Sequence, residues 1–248
     1  MNIALIDADT ILYNHCFGYK DKPLDELLLA LNTKMQWVLD MCGTRKYVAY
    51  ISGPENFRKK LDPTYKANRI ADKPPHFSEV QEYLVTKWST KVTENCEADD
   101  ELALLHVEHK EDAVLCAVDK DFLQLPGKHF HLKTEYFKEV NYEMGMFNFY
   151  RQMLMGDGAD NVKGIPGIGQ QRSLPLLFGK TVEEQEQVVR ELYDNHNLDY
   201  ELNRKLLWLA RSREYLEQLQ EEAHQLSISR KSMENPLEDL ESVLLGDG

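Results

Sequence analysis

The chain has 248 residues, of which 42% are hydrophobic and 29% are charged, a balance typical of a globular protein. This composition excludes wholesale disorder and a fibrous repeat. The longest uncharged apolar run is far shorter than the ~20 residues of a membrane span, and the start, Met1 to Asp7, lacks the basic residues of a secretion signal. The four cysteines form no Cys-x-x-Cys pair, so we expect a cytoplasmic protein without a disulfide framework.

The net charge of −13 is distributed unevenly along the chain. From Thr44 to Lys73 there are eight lysines and arginines against three acids, whereas from Thr181 to Gly248 there are seven against sixteen. The basic stretch leaves a nucleic-acid partner open despite the negative total. The acidic end has the composition of a solvated helical surface.

Short apolar runs alternate with segments of helical spacing in the first half of the chain. The predicted elements are a strand at Ile3–Asp7, a helix at Leu24–Met41, a strand at Tyr47–Ile51, a helix at Asp99–Lys110 and a strand at Ala113–Val118. Strands that alternate with helices predict a parallel, doubly wound sheet.

The last part of the chain has no strand pattern. Met144–Met155 has helical spacing, a glycine-rich turn follows, and Val182–Leu226 is again helical. The tail from Ser227 contains Ser, Pro, Asp and Gly, and we expect its end to be frayed. We therefore predict an α/β domain over residues 1–142 and a closely packed helical region over residues 143–248.

Four acidic groupings stand at positions where chemistry is expected. In an open parallel sheet, ligands bind beyond the carboxyl ends of the strands, and two of the groupings follow predicted strands. If the others lie at the same edge, the converging carboxylates repel by about 4 kcal/mol per pair at ~4 Å and an effective dielectric near 20. The groupings are Asp7 with Asp9, then Glu97 with Asp99 and Asp100, then Asp119 with Asp121, and finally Asp157 with Asp160.

Such a cluster requires cations to stay ionised. Ligands that are all oxygen favour Mg²⁺ or Mn²⁺ over zinc, and two such ions about 4 Å apart clamp the attacking and leaving oxygens of a phosphodiester. Each grouping also has a structural alternative, because a lone Asp after a strand is commonly a turn residue and Glu97 or Asp99 alone is commonly a helix cap. The candidate site depends on their joint occurrence.

Two further segments have the composition of phosphate-binding sites. Phe57–Lys60 and Tyr65–Arg69 place cations beside aromatic rings, where they can hold phosphates or stack on an unpaired base. The alternative is an ordinary solvated helix. Gly164–Gly169 lets the backbone approach a phosphate, with a helix that begins near Gly167 and directs free N–H groups at it. The alternative there is a tight corner between two helices that binds no ligand.

Taken in order, these segments resemble the 5′-nuclease family of flap endonucleases and 5′–3′ exonucleases, in particular its small bacteriophage members. The resemblance runs from Asn2 to about Phe178. Its most specific motifs are Glu97-Ala98-Asp99-Asp100, Asp119-Lys120-Asp121-Phe122-x-Gln124-Leu125 and Gly156-Asp157-x-x-Asp160-Asn161-x-x-Gly164-Ile165-Pro166-Gly167-Ile168-Gly169, together with Phe57-Arg58 and Tyr65-Lys66-Ala67-Asn68-Arg69.

The resemblance implies a PIN-like α/β core and, at about residues 155–178, a helix–three-turn–helix motif that grips duplex DNA and holds a potassium ion through main-chain carbonyls. It also implies that Lys66 contacts the scissile phosphate, that Arg69 contacts a second phosphate and that Tyr65 stacks near the reacting nucleotide. The implied ligands of two Mg²⁺ or Mn²⁺ ions are Asp7, Glu97, Asp99, Asp100, Asp119, Asp121, Asp157 and Asp160. The residues expected to bind DNA are Arg58, Lys59, Gly164, Ile165, Gly167, Ile168 and Gly169.

One position departs from the family pattern. The family often has Phe-Asp-Gly after the second strand, with its acid in the metal site, whereas this chain has Ile51-Ser52-Gly53. Ser52 therefore replaces a carboxylate, which bears on the number and strength of bound metals. The stretch between Pro54 and Pro75 is also short for the arch through which the family threads a free 5′ end.

These observations predict a metal-dependent 5′ nuclease that acts in replication or repair, beside replication proteins and in the host cytoplasm if a phage encodes it. Its expected partner is DNA with a 5′ end, flap or nick, and not a membrane. One alternative is an RNase H-like 5′ nuclease that removes RNA primers from RNA–DNA hybrids, since phosphate contacts carry no sugar discrimination. The other is a non-enzymatic protein that binds DNA structures through a degenerate site. The role of residues 181–248 is left open.

Overall fold

The computed structural model describes residues 2–69 and 72–234. The strands are β1 (Ile3–Asp7), β2 (Tyr47–Ile51), β3 (Lys91–Val92), β4 (Ala113–Ala117), β5 (Gly127–His131), β6 (Phe137–Val140), β7 (Gly156–Asp157) and β8 (Val162–Lys163). The helices are α1 (Ala8–Gly18), α2 (Leu24–Met41), α3 (Phe57–Leu61), α4 (Phe77–Trp88), α5 (Ala98–His109), α6 (Tyr142–Met155), α7 (Gln170–Leu177), α8 (Val182–Asn195), α9 (Tyr200–Leu207) and α10 (Arg213–Glu234). Two 3-10 helices lie at Lys110–Asp112 and Lys120–Gln124.

Six strands form one sheet in the spatial order β3-β2-β1-β4-β5-β6. β1 pairs in parallel with β2 and β4, and β4 pairs in parallel with β5, whereas β6 runs antiparallel to β5. Every residue of β4 is buried, as expected for a parallel strand covered on both faces. Because the parallel strands share one direction, the residues that follow β1, β2 and β4 emerge at a single edge of the sheet.

Helices cover both faces of this sheet. Ala4 and Ile6 face a cluster formed with α1, α2 and α4, while Leu5 between them faces α5, as the alternation of a strand requires. A third cluster fills the helical region, and it includes Phe57 and Tyr65 from the first part of the chain. The division into domains at residue 142 stays a prediction, and the third cluster packs residues from both sides of it together.

Most predicted elements of the sheet are confirmed. β1, α2 and β2 have the predicted bounds, the third strand ends one residue early at Ala117, and α5 begins at Ala98. The predicted helical stretch Val182–Leu226 consists of three helices, α8 to α10, and the breaks between them were not predicted. The last of these continues past Ser227 to Glu234, and the end of the tail lies outside the described residues.

A small antiparallel pair, β7 and β8, joins α6 to the segment before α7 and was not predicted. Gly156 in β7 and Gly164, the residue after β8, approach each other so closely that a Cβ on Gly156 would lie 2.2 Å from the Gly164 nitrogen. Gly156 also has φ +68, a conformation that favours glycine. Backbone packing is therefore a sufficient reason for a glycine at each position.

Among residues 2–69 and 72–234, none of the helices combines the length and the apolar composition that a bilayer crossing requires.

Candidate active site

The first two acids lie where β1 passes into α1. Asp7 ends the strand and caps the helix, because its carboxylate accepts hydrogen bonds from the backbone N–H (3.3 Å) and the hydroxyl (2.5 Å) of Thr10. Asp9 lies in the first turn of the helix, and its Oδ2 accepts from the backbone N–H of Ser52 at 2.9 Å. Burial, together with the negative charges of Asp9 and Asp119, raises the pKa of Asp7 to about 7.

Glu97 and Asp99 enter the site from the start of α5. The helix begins with a capping box in which Glu97 is the N-cap and Asp100 the third helical residue, and this arrangement fixes the first turn. Burial and the negative charges of Asp7 and Asp119 raise the pKa of Asp99 well above its ordinary value. The start of α5 and the ends of β1 and β4 therefore bring their carboxylates within electrostatic reach of one another.

A third pair of acids, Asp121 and Asp157, shares one amide donor. Asp121 lies in the 3-10 helix that Asp119 caps. Nε2 of Gln152 donates to Asp121 Oδ1 at 2.7 Å and to Asp157 Oδ2 at 3.3 Å, and Lys120 Nζ lies 2.9 Å from the same Asp157 oxygen. Burial and the charges of Asp119 and Asp157 raise the pKa of Asp121 to about 8. Burial also raises the pKa of Asp157. The ammonium of Lys120 and two backbone N–H donors outweigh burial there, so the pKa of Asp157 is lowered.

Asp160, the last of the acids, and Glu97 face the cations of the loop after α3. Lys66 Nζ is hydrogen-bonded to Glu97 Oε1 and lies 3.6 Å from Asp160 Oδ2, while Arg69 Nη2 donates to Asp160 Oδ1 at 2.5 Å. The Tyr65 hydroxyl lies 3.0 Å from an oxygen of each acid. Burial lowers the pKa of Lys66, but the charges of Glu97 and Asp160 outweigh it and raise the pKa. The ammonium is thus held charged beside the acids.

These eight acids form one electrostatically connected group, which we call the acid basin. Within residues 2–69 and 72–234, no three His, Cys, Asp or Glu side chains stand as a group that could hold a metal ion. The oxygens instead face protein donors such as Thr10, Gln152 and Lys66. The chemistry of the donor set nevertheless fits a hard divalent cation, because every donor is a carboxylate and because burial, followed by mutual repulsion, raises the pKa of several of them. The members are Asp7, Asp9, Glu97, Asp99, Asp119, Asp121, Asp157 and Asp160.

Two of the predicted site residues, Arg58 and Asp100, bind each other inside the protein. Arg58 Nη1 and Nη2 donate to the two Asp100 oxygens at 2.6 and 2.8 Å, and Nε and Nη2 also donate to the carbonyls of Leu206 and Trp208. Arg58 is 1% exposed and Asp100 is fully buried. Both expectations are therefore corrected: Arg58 cannot reach a DNA phosphate, and both Asp100 oxygens are occupied by an internal ion pair rather than directed at a metal.

Tyr65 also has a different position from the one expected. Its ring is 3% exposed and packs in the core of the helical region. A ring with so little exposed surface cannot stack on a base. Its hydroxyl instead links Glu97 to Asp160, so the residue holds two carboxylates of the acid basin in place.

The glycine-rich segment Gly164–Gly169 is only partly exposed. Ile165 is 3% exposed and packs in the helical core, which removes it from the residues that can touch DNA. Gly167, at φ +78, and Gly169, which caps α7, are exposed, whereas Gly164 and Ile168 are half-buried. The helix begins at Gln170 rather than near Gly167. Lys59, on α3, is exposed.

Two residues of the site were missing from the predicted ligand and contact set. Asp9 stands two residues after Asp7 at the end of a strand, and this spacing was the signal for it. In the structure Asp9 lies against Ser52, at the end of β2 where the family acid is absent. The Ser52 hydroxyl accepts from the first N–H of α5, that of Ala98, at 2.9 Å. Gln152, which holds Asp121, stands on α6 and no sequence pattern marks it.

Comparison with known proteins places this geometry in context. The chain matches the family described as "5′-3′ exonuclease, N-terminal resolvase-like domain" over residues 2–151. It is 29% identical over 156 residues to DNA polymerase I of Rhizobium leguminosarum, a match that spans 54% of this chain and only 15% of the polymerase.

Solved structures of bacteriophage T5 proteins share the fold. A T5 5′-exonuclease with bound zinc superposes with a TM-score of 0.64 at 18% identity, over 92% of this chain and 100% of that one. A T5 flap endonuclease in a pseudo-enzyme-product complex with DNA and metal ions gives 0.58 at 19% identity, over 92% and 99%. The parallel sheet with its flanking helices is therefore a PIN-like fold. Because the family match covers more than half of its residues, the chain belongs to the 5′–3′ exonuclease family.

Proposed function

We propose that the protein is a metal-dependent 5′ nuclease that hydrolyses DNA phosphodiesters at or near a 5′ end, as a 5′–3′ exonuclease, a flap endonuclease or both. The observation that carries the proposal is the acid basin, which gathers carboxylates from the ends of β1 and β4, the start of α5 and the turn after α6 beside the half-buried Lys66. Family membership and the T5 folds support the same function.

The acid basin would hold two Mg²⁺ or Mn²⁺ ions. When bound, such ions lower the pKa of water to supply a hydroxide and offset the charge on the phosphate. Of the predicted ligands, Asp7, Glu97, Asp99, Asp119, Asp121, Asp157 and Asp160 remain in the proposal, and Asp9 joins them. Asp9 supplies a carboxylate beside Ser52, where the family pattern has an acid and this chain does not.

The protein's own cations would bind the scissile strand. Lys66 keeps its ammonium between Glu97 and Asp160, so it can donate to a non-bridging phosphate oxygen and offset the charge that develops there. Arg69, with 53% of its side chain exposed, can contact a neighbouring phosphate. Tyr65 would orient Glu97 and Asp160 rather than bind the substrate.

DNA outside the cleaved bond would lie along the exposed part of the connection between α6 and α7. Gly167 and Gly169 offer backbone N–H groups there, and Lys59 adds an exposed positive charge on α3. We propose that residues 155–178 act as the helix–three-turn–helix motif of the family. A potassium ion would bind main-chain carbonyls of this segment, although the Gly167 carbonyl already accepts from Arg172 Nη1 at 3.0 Å.

An end-labelled 5′-flap substrate tests the proposal, incubated with Mg²⁺ and in parallel with a chelator. We expect 5′-phosphorylated products with Mg²⁺ only, and strong loss of cleavage for Asp119→Asn and for Asp121→Asn. Asp25→Asn, an exposed acid at the start of α2, is the matched control and should cleave normally. Full cleavage by both site variants would show that the acid basin is not the reaction centre.

Two further arms of this assay address the alternatives. Preferential cleavage of the RNA strand of an RNA–DNA hybrid would establish primer removal as the activity. Tight binding of the flap without product, in Mg²⁺ and in Mn²⁺, would establish a non-enzymatic binding protein.

A further inference from the structure

We propose that Gln124 is a positioning residue of the acid basin and that it acts through the segment 206–213, which we call the strap. The strap runs from the end of α9 to the start of α10, beyond the residues that match the family. The proposal rests on the proposed function, because the groups that it positions are the metal-binding carboxylates. It also gives a role to part of the acidic C-terminal region.

Gln124 ties the 3-10 helix after β4 to the strap. It is 2% exposed and ends the helix that Asp119 caps and that carries Asp121. Its Nε2 donates to the Leu207 carbonyl at 3.0 Å, and its Oε1 accepts from the Leu209 N–H at 3.0 Å. The side-chain amide thus pairs with the strap as a neighbouring strand would, through one donor and one acceptor.

The other side of the strap binds the start of α5. The carbonyls of Leu206 and Trp208 accept from Arg58, whose guanidinium binds Asp100, and the Ala210 N–H lies 3.5 Å from Asp100 Oδ1. From Leu206 to Ala210, successive residues therefore alternate between Arg58 or Asp100 on one side and Gln124 on the other. The first two of these residues lie in the last turn of α9 and the other three follow it. The last carbonyls of α9 are free for these bonds because a helix end leaves them without partners.

Two arginines of the strap add further bonds to the same two elements, the 3-10 helix after β4 and the start of α5. Arg211 Nη2 donates to the Gln124 carbonyl at 2.8 Å. Arg213 binds both oxygens of Glu101, in the first turn of α5, at 2.7 Å each. The strap is thus bonded on one side to the element that carries Glu97 and Asp99 and on the other to the element that carries Asp119 and Asp121.

This double attachment sets the spacing between the two acid-bearing elements. Like charges on Asp99 and Asp119 repel, so elements that are free to move would separate. A rigid support that holds ligands at their working distance strengthens ion binding, since less reorganisation is needed when the ion arrives. Gln124 is the side chain through which the 3-10 helix is fixed in this way.

The test compares two buried glutamines. Gln124→Met removes both side-chain hydrogen bonds and keeps an unbranched chain. Gln185→Met is the matched control, because Gln185 is 5% exposed and donates Nε2 to a backbone carbonyl, that of Lys180, at 3.0 Å in the helical region. Mn²⁺ binding to the full chain is followed by electron paramagnetic resonance of the free ion, alongside melting temperature and the kcat and KM for a 5′ flap in Mg²⁺.

We expect the half-saturating Mn²⁺ concentration to rise about tenfold in Gln124→Met, with a lower kcat and an unchanged KM for DNA. Gln185→Met should bind Mn²⁺ as the wild type does. Wild-type Mn²⁺ affinity in Gln124→Met, or an equal loss in Gln185→Met, would overturn the positioning role.

Arg211→Met provides a second route if Gln124→Met does not fold. This substitution removes the hydrogen bond that a half-buried side chain donates to the Gln124 carbonyl. We expect it to weaken Mn²⁺ binding, as Gln124→Met does, and wild-type affinity in this variant would overturn the proposal.

A wild type that binds no Mn²⁺ would remove the proposed function together with the positioning role. Equal and tight binding by the wild type and Gln124→Met would remove the positioning role alone.

Discussion

Both carboxylate oxygens of Asp100 accept hydrogen bonds from the guanidinium of Arg58, at 2.6 and 2.8 Å, and neither side chain reaches the surface. The pair connects α3 to the first turn of α5. Asp100 therefore differs in role from its neighbour Asp99, although the two adjoin in the sequence. One acid serves the acid basin and the other neutralises a buried cation.

Removing one partner of this ion pair should lower the free energy of unfolding substantially. Arg58→Met leaves Asp100 as an uncompensated buried charge, and we expect a loss of about 3–5 kcal/mol in the free energy of unfolding, measured by urea denaturation. Arg58→Met with Asp100→Leu should lose less, because no lone charge remains. Arg45→Met, which breaks the exposed pair with Asp40, should cost under ~1 kcal/mol. A stable single variant would mean that Asp100 is not held as a buried anion.

Asp9 should contribute to cation binding even though the sequence prediction did not include it among the ligands. Asp9→Asn keeps an acceptor for the Ser52 N–H but removes one charge from the acid basin, so the half-saturating Mg²⁺ concentration for cleavage should rise about tenfold. Stability in chelator should not fall, since repulsion within the acid basin decreases. Mn²⁺ binding without DNA gives an independent measurement, with Asp25→Asn as control. Unchanged metal dependence in Asp9→Asn would count against this role.

Lys120 should compete with a cation for Asp157. Its ammonium lies 2.9 Å from Asp157 Oδ2 on a side chain that is 61% exposed. In Lys120→Met, Mn²⁺ should bind up to about fivefold more tightly, the equivalent of the ~1 kcal/mol upper limit of an exposed ion pair. Lys133→Met, at an exposed position after β5, is the control for net charge. Weaker binding in Lys120→Met would show that the lysine assists the ion instead.

The stability of the protein without metal should fall as the pH rises through the neutral range. The pKa of Asp7 is raised to about 7 and that of Asp121 to about 8, so the folded chain keeps protons that the unfolded chain has lost. Stability decreases with pH wherever the folded state binds more protons. Between about pH 5 and pH 8 we expect the melting temperature in chelator to fall by about 2–8 °C, the shift that 1–2 kcal/mol produces in a chain of this size.

Two comparisons identify the groups responsible for that pH dependence. Asp121→Asn should flatten the decline, because it removes one of the titrating carboxyls. Saturating Mg²⁺ should do the same by favouring the ionised forms. A melting temperature that rises with pH over this interval would contradict the raised pKa values.

The sheet was predictable because its strands are short apolar runs whose pattern is local. β1 and β2 end at the residues where the apolar run ends. The position of Asp7 at a strand end therefore follows from the residues next to it in the sequence. Parallel topology then brings Asp7 and Asp119 to one edge, so most of the acid basin could be predicted without any side-chain detail. Lys66 and Arg69 could be assigned to the site only from the resemblance to the family motifs.

The side-chain positions that were not predicted depend on contacts with residues that lie far away along the chain. The Phe57–Lys60 stretch reads as an exposed basic helix, and only the fold shows that Asp100 and the carbonyls near residue 207 surround Arg58. Tyr65 was misplaced for the same reason, because its ring packs with helices that follow residue 142. The break between α9 and α10 also reflects tertiary contacts, since the backbone there bonds to Gln124.

The order of these segments along the chain has a consequence for protein synthesis. Every acid of the basin lies at or before Asp160, whereas the strap that supports them is made roughly 50 residues later, about 3–10 s at ordinary elongation rates. A nascent chain that has just left the ribosome up to Asp160 therefore carries the whole chemical apparatus without its support. We expect nuclease activity to begin only after the strap has been synthesised.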